Sequence, residues 1–227
     1  MELIIVRHGQ SRYNARLSDE LDSELTDLGH QQAASAAAGL SRQVDLSGFL
    51  AICSPYLRTI QTASKLADLK VPTVVHCGSR EHYVTSYSHK DLDGTGGVFI
   101  PRRNYPGIVY PADQWHRDGR FFPREPTETF VERMKLFWYD LVGREQNKFI
   151  VVSHGAPCRV LLEFAIGMTQ DEAVRLCKKH EDALECVEHN PDTIHNCDAI
   201  YIKDGKLEWR RSGRDGRVSE IQGLCRK

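Results

Sequence analysis

An arginine, a histidine and a glycine follow a short apolar run near the start of the chain. Leu3–Val6 is rich in β-branched residues, and its length favours a buried strand over a helix. Ligands of open α/β sheets bind just past the carboxyl ends of strands. The imidazole of His8 suits a base or nucleophile, and the Arg7 guanidinium suits phosphate or carboxylate. Gly9 permits a turn there. By itself, the tripeptide fits a loop after an edge strand equally well.

A second apolar run ends in the same kind of residues. Phe149–Val152 is followed by a serine, then by His154 and Gly155. Two histidines at strand ends face each other if their strands are neighbours in one parallel sheet. The sequence therefore predicts that His8 and His154 share one site.

A third apolar run, Phe49–Cys53, precedes a predicted helix. Ser54 is the expected N-cap and Pro55 the expected first helical residue. Arg58 then lies in the first turn, where it can reach an anion bound at the helix N-terminus. The alternative for Arg58 is an ordinary solvated helix residue.

Three motifs in this order resemble the histidine phosphatase superfamily, branch 1, which includes the cofactor-dependent phosphoglycerate mutases. The resemblance extends from residue 2 to about residue 202. The motifs are Arg7-His8-Gly9-x-Ser11-x-x-Asn14, Ser54-Pro55-x-x-Arg58-x-x-Gln61-Thr62-Ala63 and Ser153-His154-Gly155.

The resemblance implies a phosphate pocket with defined members. Arg7, His8, Arg58 and His154 match the residues that surround the phosphoryl group in this family. Asn14 matches an asparagine that helps to bind the substrate phosphate. Gly155 offers a backbone amide, and the family needs neither a metal nor another cofactor for hydrolysis.

Phosphoryl transfer is the chemistry that these residue types suit. It needs an in-line nucleophile, positive charge around the transferred oxygens, and a proton for the leaving oxygen. A neutral His8 can attack phosphorus, while Arg7, Arg58 and His154 stabilise the developing charge. The same cations disfavour protonation of His8 and keep the attacking nitrogen free. We therefore expect a phosphohistidine at position 8.

The proton donor is expected to be Glu81. Family members supply a carboxylate after the third strand, and Glu81 follows the apolar run that ends near Cys77. Asp91 and Asp93 are competitors for this role. A surface carboxylate paired with Arg80 is the alternative without catalytic meaning.

Two departures from the mutases favour a phosphatase. Gln10 and Tyr13 stand where mutases usually carry glutamate and tryptophan. Arg102 and Arg103 faintly resemble the mutase arginines that bind the substrate carboxylate, but an exposed basic pair is equally compatible. We expect a phosphatase acting on a small-molecule phosphomonoester. The alternatives are a phosphoglycerate-type mutase primed by 2,3-bisphosphoglycerate, and a phosphate-binding module with little turnover.

The alternation of strands and helices predicts one α/β domain spanning residues 1–227. We expect a three-layer αβα sandwich with a mostly parallel central sheet. Two further helix starts are predicted from capping boxes, Thr129 with Glu132 and Thr169 with Glu172. Residues 84–126 lack helical or strand periodicity, which indicates an insertion over the active site or a flexible excursion.

Composition excludes several partner classes. The net charge of −1 argues against nucleic acid or an anionic membrane. Seven cysteines without a Cys-x-x-Cys pair fit a reducing compartment, and no apolar run is long enough for a membrane span or a signal peptide. We expect a soluble cytoplasmic protein. The spacing of the late histidines and cysteines matches no zinc signature, and the sequence leaves the oligomeric state open.

Overall fold

The structure is a computed structural model that describes residues 1–20, 22–82, 105–111, 125–182 and 194–220. The strands are β1 (Glu2–Arg7), β2 (Leu50–Cys53), β3 (Thr73–Val75), β4 (Ile108–Val109), β5 (Lys148–Ser153), β6 (Ala199–Lys203), β7 (Lys206–Arg211) and β8 (Val218–Glu220). The helices are α1 (Asp27–Gln43), α2 (Leu57–Asp68), α3 (Thr127–Val142), α4 (Gly155–Ala165) and α5 (Gln170–Asp182), with a 3₁₀ turn at Cys77–Ser79.

These strands form one eight-stranded sheet in the order β4-β3-β2-β5-β1-β6-β7-β8. The five strands from β4 to β1 are parallel to one another, whereas β6, β7 and β8 continue the sheet with antiparallel pairings. The predicted mostly parallel α/β sheet is confirmed. β6 and β7 form the hairpin whose turn contains Asp204 and Gly205.

Helices cover both faces of the sheet because β1 is apolar on both sides. Leu3 and Ile5 pack in a core with side chains of α3, α4 and α5. Ile4 and Val6 point to the other face and pack with side chains of α1 and α2. All four are almost completely buried, and each such burial contributes about 1.5–3 kcal/mol relative to exposure. The three layers follow from this double-sided burial.

α1 begins directly after Thr26. Thr26 is its N-cap, and its side chain accepts a hydrogen bond from the Gly29 amide at 3.0 Å. The capping box of α5 is also present, because the Thr169 amide donates to Glu172 Oε2 at 2.9 Å.

The predicted start of α2 is wrong by two residues. The helix begins at Leu57 with Tyr56 as N-cap, because the Ser54 hydroxyl lies 2.7 Å from the Nε2 atom of His154 and is engaged there. An aspartate from a distant loop caps the helix instead: Asp22 Oδ1 accepts from the Leu57 amide at 2.7 Å.

The predicted start of α3 is wrong as well. The helix begins at Thr127 after Pro126, and the Pro126 carbonyl accepts from the Phe130 amide at 2.9 Å. Thr129 is therefore already inside the first turn, and it cannot cap the helix with Glu132.

Part of the expected insertion belongs to the sheet. Ile108–Val109 is β4, which pairs with β3 in parallel, and Ile108 is buried in the core beneath α2. A two-residue strand is too short to show a period in the sequence. Residues 83–104 and 112–124 lie outside the described residues, and with them Asp91, Asp93, Arg102 and Arg103. No helix in the described part of the chain is long and apolar enough to cross a membrane.

Candidate active site

The three central parallel strands end at the same level of the sheet. Arg7 lies opposite Ser153 in the pairing of β1 with β5, and Cys53 lies opposite Val152 in the pairing of β2 with β5. The register continues one residue further, since the His8 amide donates to the Ser153 carbonyl at 2.9 Å. The side chains that follow these strands therefore meet at one edge, as the sequence predicted.

His8 is held as a neutral imidazole with one defined tautomer. Its Nδ1 lies 2.7 Å from the Gly9 carbonyl oxygen, and the Nε of Arg58 lies 3.2 Å from its Nε2. Because a guanidinium only donates, Nε2 carries the lone pair and Nδ1 carries the proton. Burial, and then the charges of Arg58 and Arg7, hold the pKa of His8 well below its ordinary value of 6.5.

Two arginines supply the positive charge: Arg58 is buried and Arg7 is half-buried. Arg58 follows Leu57 on α2, and its guanidinium lies 4.7 Å from the centre of the Tyr56 ring. Arg7 Nη1 donates to the Ile194 carbonyl at 2.7 Å, whereas the Arg7 Nε is buried and makes no hydrogen bond within the described part of the chain. A buried N–H group without a partner is costly, and an anion bound beside it would satisfy it.

His154 is the second imidazole at this edge, and its ring centre lies 5.2 Å from that of His8. Its Nε2 lies 2.7 Å from the Ser54 hydroxyl. Its ring packs edge-on against the Tyr56 ring, with 5.0 Å between the two ring centres. Burial, then the charge of Arg58, holds the pKa of His154 well below 6.5. Both imidazoles are therefore neutral in this arrangement.

Glu81 faces this group from the segment after β3. Its Oε2 lies 3.9 Å from Arg58 Nη2 and 3.4 Å from His154 Nδ1, and its Oε1 accepts from the His82 amide at 3.0 Å. Burial raises the pKa of Glu81 above 4.5, and this effect exceeds the opposing attraction of Arg58. A carboxyl group that keeps its proton at higher pH, beside a guanidinium and a neutral imidazole, has the properties of a general acid. The alternative pair with Arg80 is absent, because Arg80 binds Glu125 at 3.0 Å.

Gly155 lies beside Arg7, and Asn14 is linked to the His8 carbonyl through Asn196. Asn14 is exposed, and its Oδ1 accepts from the Ser11 amide at 3.4 Å and from Asn196 at 3.3 Å. Gly155 is the first residue of α4, and a Cβ placed on it would lie 3.8 Å from Arg7 Cζ. The N-terminus of α4 therefore lies next to the Arg7 guanidinium.

Sequence reasoning missed Asn196. Its Nδ2 donates to the His8 carbonyl at 2.9 Å, and the next residue, Cys197, donates its amide to the Arg7 carbonyl at 2.9 Å. β6 is antiparallel to β1, so the loop before β6 lies at the edge where β1 ends. The Asp204-Gly205 pair between two apolar runs is a hairpin signal, and it is the sequence feature that could have located this loop.

No group of three or more His, Cys, Asp or Glu side chains in the described residues is arranged to hold a metal ion. Two of the histidines and cysteines near the C-terminal end of the chain, His195 and Cys197, belong to the loop before β6. The Nδ1 atom of His195 lies 3.2 Å from Nη2 of Arg214, and Cys197 is buried.

The chain is an α/β protein with a histidine at the carboxyl end of its first strand and a second histidine and two arginines beside it. The sequence model of the histidine phosphatase superfamily (branch 1) matches residues 3–195. The chain belongs to this superfamily, and the resemblance seen in the motifs is confirmed.

Known relatives include both phosphatases and mutases. A glucosyl-3-phosphoglycerate phosphatase of Mycolicibacterium vanbaalenii is 26% identical over 74% of this chain and 76% of its own length. A 2,3-bisphosphoglycerate-dependent phosphoglycerate mutase of Nitratidesulfovibrio vulgaris is 28% identical over 77% of this chain and 80% of its own. The fold is similar to that of a mycobacterial glucosyl-3-phosphoglycerate phosphatase solved with VO3, with a TM-score of 0.56 and 17% identity. The match covers 91% of this chain and 94% of that one.

Proposed function

We propose that this protein is a phosphatase that hydrolyses a small-molecule phosphomonoester through a phosphohistidine on His8. One observation carries the proposal: the lone pair of His8 Nε2 accepts a hydrogen bond from Arg58 Nε, while the Gly9 carbonyl holds the proton on Nδ1. A neutral nucleophile beside fixed positive charge is what attack on a phosphate anion requires.

In the first step, the lone pair of His8 Nε2 attacks phosphorus and forms the P–N bond. The P–O bond to the leaving group breaks, and the departing oxygen takes the proton of the Glu81 carboxyl group. Arg7, Arg58 and His154 stabilise the charge on the remaining phosphoryl oxygens. Asn14 and the Gly155 amide are proposed as further contacts to the substrate phosphate, and Arg102 and Arg103 as contacts to a second anionic group.

In the second step, the Glu81 carboxylate accepts a proton from a water molecule. The water oxygen attacks phosphorus, the P–N bond breaks, and its electron pair returns to Nε2 of His8. Inorganic phosphate is released and Glu81 is protonated again. His8 supplies the nucleophile and the arginines supply the positive charge, so the proposed cycle uses no metal ion.

A mutase is the second candidate, because phosphoglycerate mutases are 28% identical to the chain over most of its length. In that case the phosphohistidine would be made from 2,3-bisphosphoglycerate and passed to a second substrate instead of water. Gln10 and Tyr13 favour the phosphatase, since both differ from the residues usual in mutases.

The test is phosphate release from p-nitrophenyl phosphate in the presence of a chelator. We expect His8→Ala to lower kcat/KM by about 10³-fold or more, because the covalent path is lost. Glu81→Gln should accumulate phosphoenzyme from this substrate, whose leaving group needs little protonation, because the water in the second step then lacks its base. When the substrate phosphate is radiolabelled, the label on the protein should survive base and be lost in acid. It should be missing from His8→Ala.

Three results would overturn the proposal. Label attached to His8→Ala as strongly as to the wild type would exclude the nucleophile. Turnover that requires added 2,3-bisphosphoglycerate would identify the mutase, and phosphate binding with no turnover of any monoester would identify a binding module.

A further inference from the structure

The segment that carries Glu81 is held by side chains. β3 ends at Val75. The carbonyls of residues 78–81 then accept hydrogen bonds from side chains of β5 and α3. The Ser79 carbonyl accepts from the Ser153 hydroxyl at 2.6 Å. Buried carbonyl groups need such partners, and one residue of α3 supplies most of them here.

That residue is Arg133. Its Nη1 donates to the Gly78 carbonyl at 2.6 Å and to the Arg80 carbonyl at 3.2 Å, and its Nη2 lies 3.5 Å from the Glu81 carbonyl. The side chain is only 11% exposed. A single planar guanidinium therefore spans the segment that ends at the proposed acid.

Glu125 fixes the guanidinium from the other side. Its two oxygens accept from Arg133 Nε at 2.7 Å and from Nη2 at 2.5 Å, a bidentate pair, and Oε1 also accepts from Arg80 at 3.0 Å. The Glu125 carbonyl lies 3.0 Å from the Nε2 of His82, whose ring stacks on Phe130 at 4.0 Å. Bidentate pairs restrict orientation as well as distance.

We infer that Arg133 is a positioning residue for Glu81. It holds the backbone of the segment whose Glu81 carboxyl group faces Arg58 and His154. This inference rests on the proposed function, in which Glu81 protonates the leaving oxygen. A shift of about 1 Å at such a group costs up to about a hundredfold in rate.

The experiment compares two substrates that differ in their need for an acid. Dinitrophenolate leaves as a stable anion, whereas the alkoxide of glycerol phosphate must be protonated as it leaves. For wild type and Arg133→Lys, kcat/KM is measured with dinitrophenyl phosphate and with glycerol phosphate. This constant reports the step in which the leaving group departs. We expect Arg133→Lys to lower the glycerol phosphate value at least about tenfold and the dinitrophenyl phosphate value less than about twofold.

The ratio of the two constants separates positioning from folding. Both substrates are measured on one sample, so a loss of folded protein lowers both values equally and leaves their ratio unchanged. Glu125→Gln is a milder second variant that loosens the guanidinium, and a smaller change of the ratio in the same direction is expected. Arg211→Lys is the matched control, because Arg211 is also a buried arginine that donates to a carbonyl, that of Ser35 at 3.1 Å.

The reference variant is Glu81→Gln, which should change the ratio more than Arg133→Lys does. In the double variant, Arg133→Lys should have no further effect on the ratio, because no acid remains to be positioned. If Glu81→Gln changes the ratio and Arg133→Lys lowers both constants equally, the positioning role is wrong and the proposed function stands. If Glu81→Gln itself leaves the ratio unchanged, Glu81 is not the acid, and both proposals for this segment are wrong.

Discussion

His8 combines two properties that oppose each other in water. A nucleophilic imidazole must be neutral, yet a phosphate anion is attracted by positive charge. Here burial and the neighbouring Arg58 and Arg7 lower the pKa of His8, so the ring stays neutral while the positive charge is carried by groups that cannot lose it at ordinary pH. Different residues therefore carry the two functions: the arginines attract the anion, and the histidine reacts with it.

The opposite pKa shifts of His8 and Glu81 predict an acidic optimum for kcat/KM. The first step needs neutral His8 and protonated Glu81. The pKa of His8 is lowered by burial, so activity is not lost as the pH falls through 6.5. The pKa of Glu81 is raised by burial, so its proton is present above 4.5 and is lost as the pH rises further. We expect kcat/KM for an alkyl phosphate to fall about tenfold per pH unit on the basic side.

Glu81→Gln serves as the control for this profile. The fall of kcat/KM at high pH should disappear in this variant, because the amide has no proton to lose. A fall caused by ionisation of the substrate would remain. A basic limb that is identical in both proteins would assign it to the substrate and would remove the support that pH gives to Glu81 as the acid.

At the scale of elements, the loop after β1 and the start of α1 meet through two glycines. A Cβ on Gly29 would lie 2.1 Å from the Gln10 carbonyl oxygen, and one on Gly9 would lie 2.4 Å from the Gly29 carbonyl oxygen. Both obstacles are backbone atoms that are fixed by hydrogen bonds, since the Gln10 carbonyl also accepts from the Thr26 amide at 2.9 Å. The helix can approach the loop behind His8 only because neither residue carries a side chain.

Gly29→Ala should therefore destabilise the protein, although alanine is the better helix former by about 1 kcal/mol. The overlap forces α1 away from the loop, and such overpacking costs about 1–3 kcal/mol. The shift also reaches the backbone next to His8, so we expect kcat/KM to fall. Urea denaturation and steady-state kinetics on the same preparation measure the two effects.

Ala34→Gly is the matched control on the same helix. Ala34 is exposed, and the change should cost about 1 kcal/mol through helix propensity alone, with unchanged kcat/KM. A Gly29→Ala protein that is as stable and as active as the wild type would show that the close approach of α1 has no role in forming the site.

The sequence could predict those parts of the site that follow strands. Arg7, His8 and His154 were recognisable because apolar runs precede them, and parallel neighbours end at the same edge. Residues that act across the fold left no local signal. Arg133 lies on α3 among apolar side chains that belong to the core. Its hydrogen bonds to the Glu81 segment join residues about fifty positions apart.

The helix starts show the same limit. Thr26 caps α1 with its own hydroxyl, so the local rule held. Ser54 obeys the same local rule in sequence, but its hydroxyl is used by His154, one hundred residues away, and the helix begins later. Tertiary contacts that redirect a capping group are invisible to a rule that considers a few neighbouring residues.

At the scale of the whole molecule, the site joins distant parts of the chain. Arg7 bonds to Ile194, and Arg58 bonds to His8, so groups from β1, α2 and the loop before β6 share one pocket. An anion that binds there contacts only the folded protein, because the unfolded chain does not bring these groups together. Anion binding must therefore stabilise the entire fold.

We predict that inorganic phosphate raises the Tm of the wild type in a concentration-dependent way. Binding at about a hundred times Kd contributes about 2.7 kcal/mol, which corresponds to a shift of about 5–11 °C for a chain of this size, at about 2–4 °C per kcal/mol. Arg58→Met should lose the shift, because it keeps the buried stem but removes the charge next to His8. Arg211→Lys, which alters a buried arginine between β7 and α1, should keep it.

The control condition is chloride at matched ionic strength, which screens surface charges in the same way but does not fit the pocket. The effect should also persist in His8→Ala, since the arginines supply the attraction and the histidine supplies the reaction. Equal stabilisation of the wild type and Arg58→Met by phosphate would mean that the anion binds elsewhere. The two arginines would then not form the anion site, even if His8 is the nucleophile.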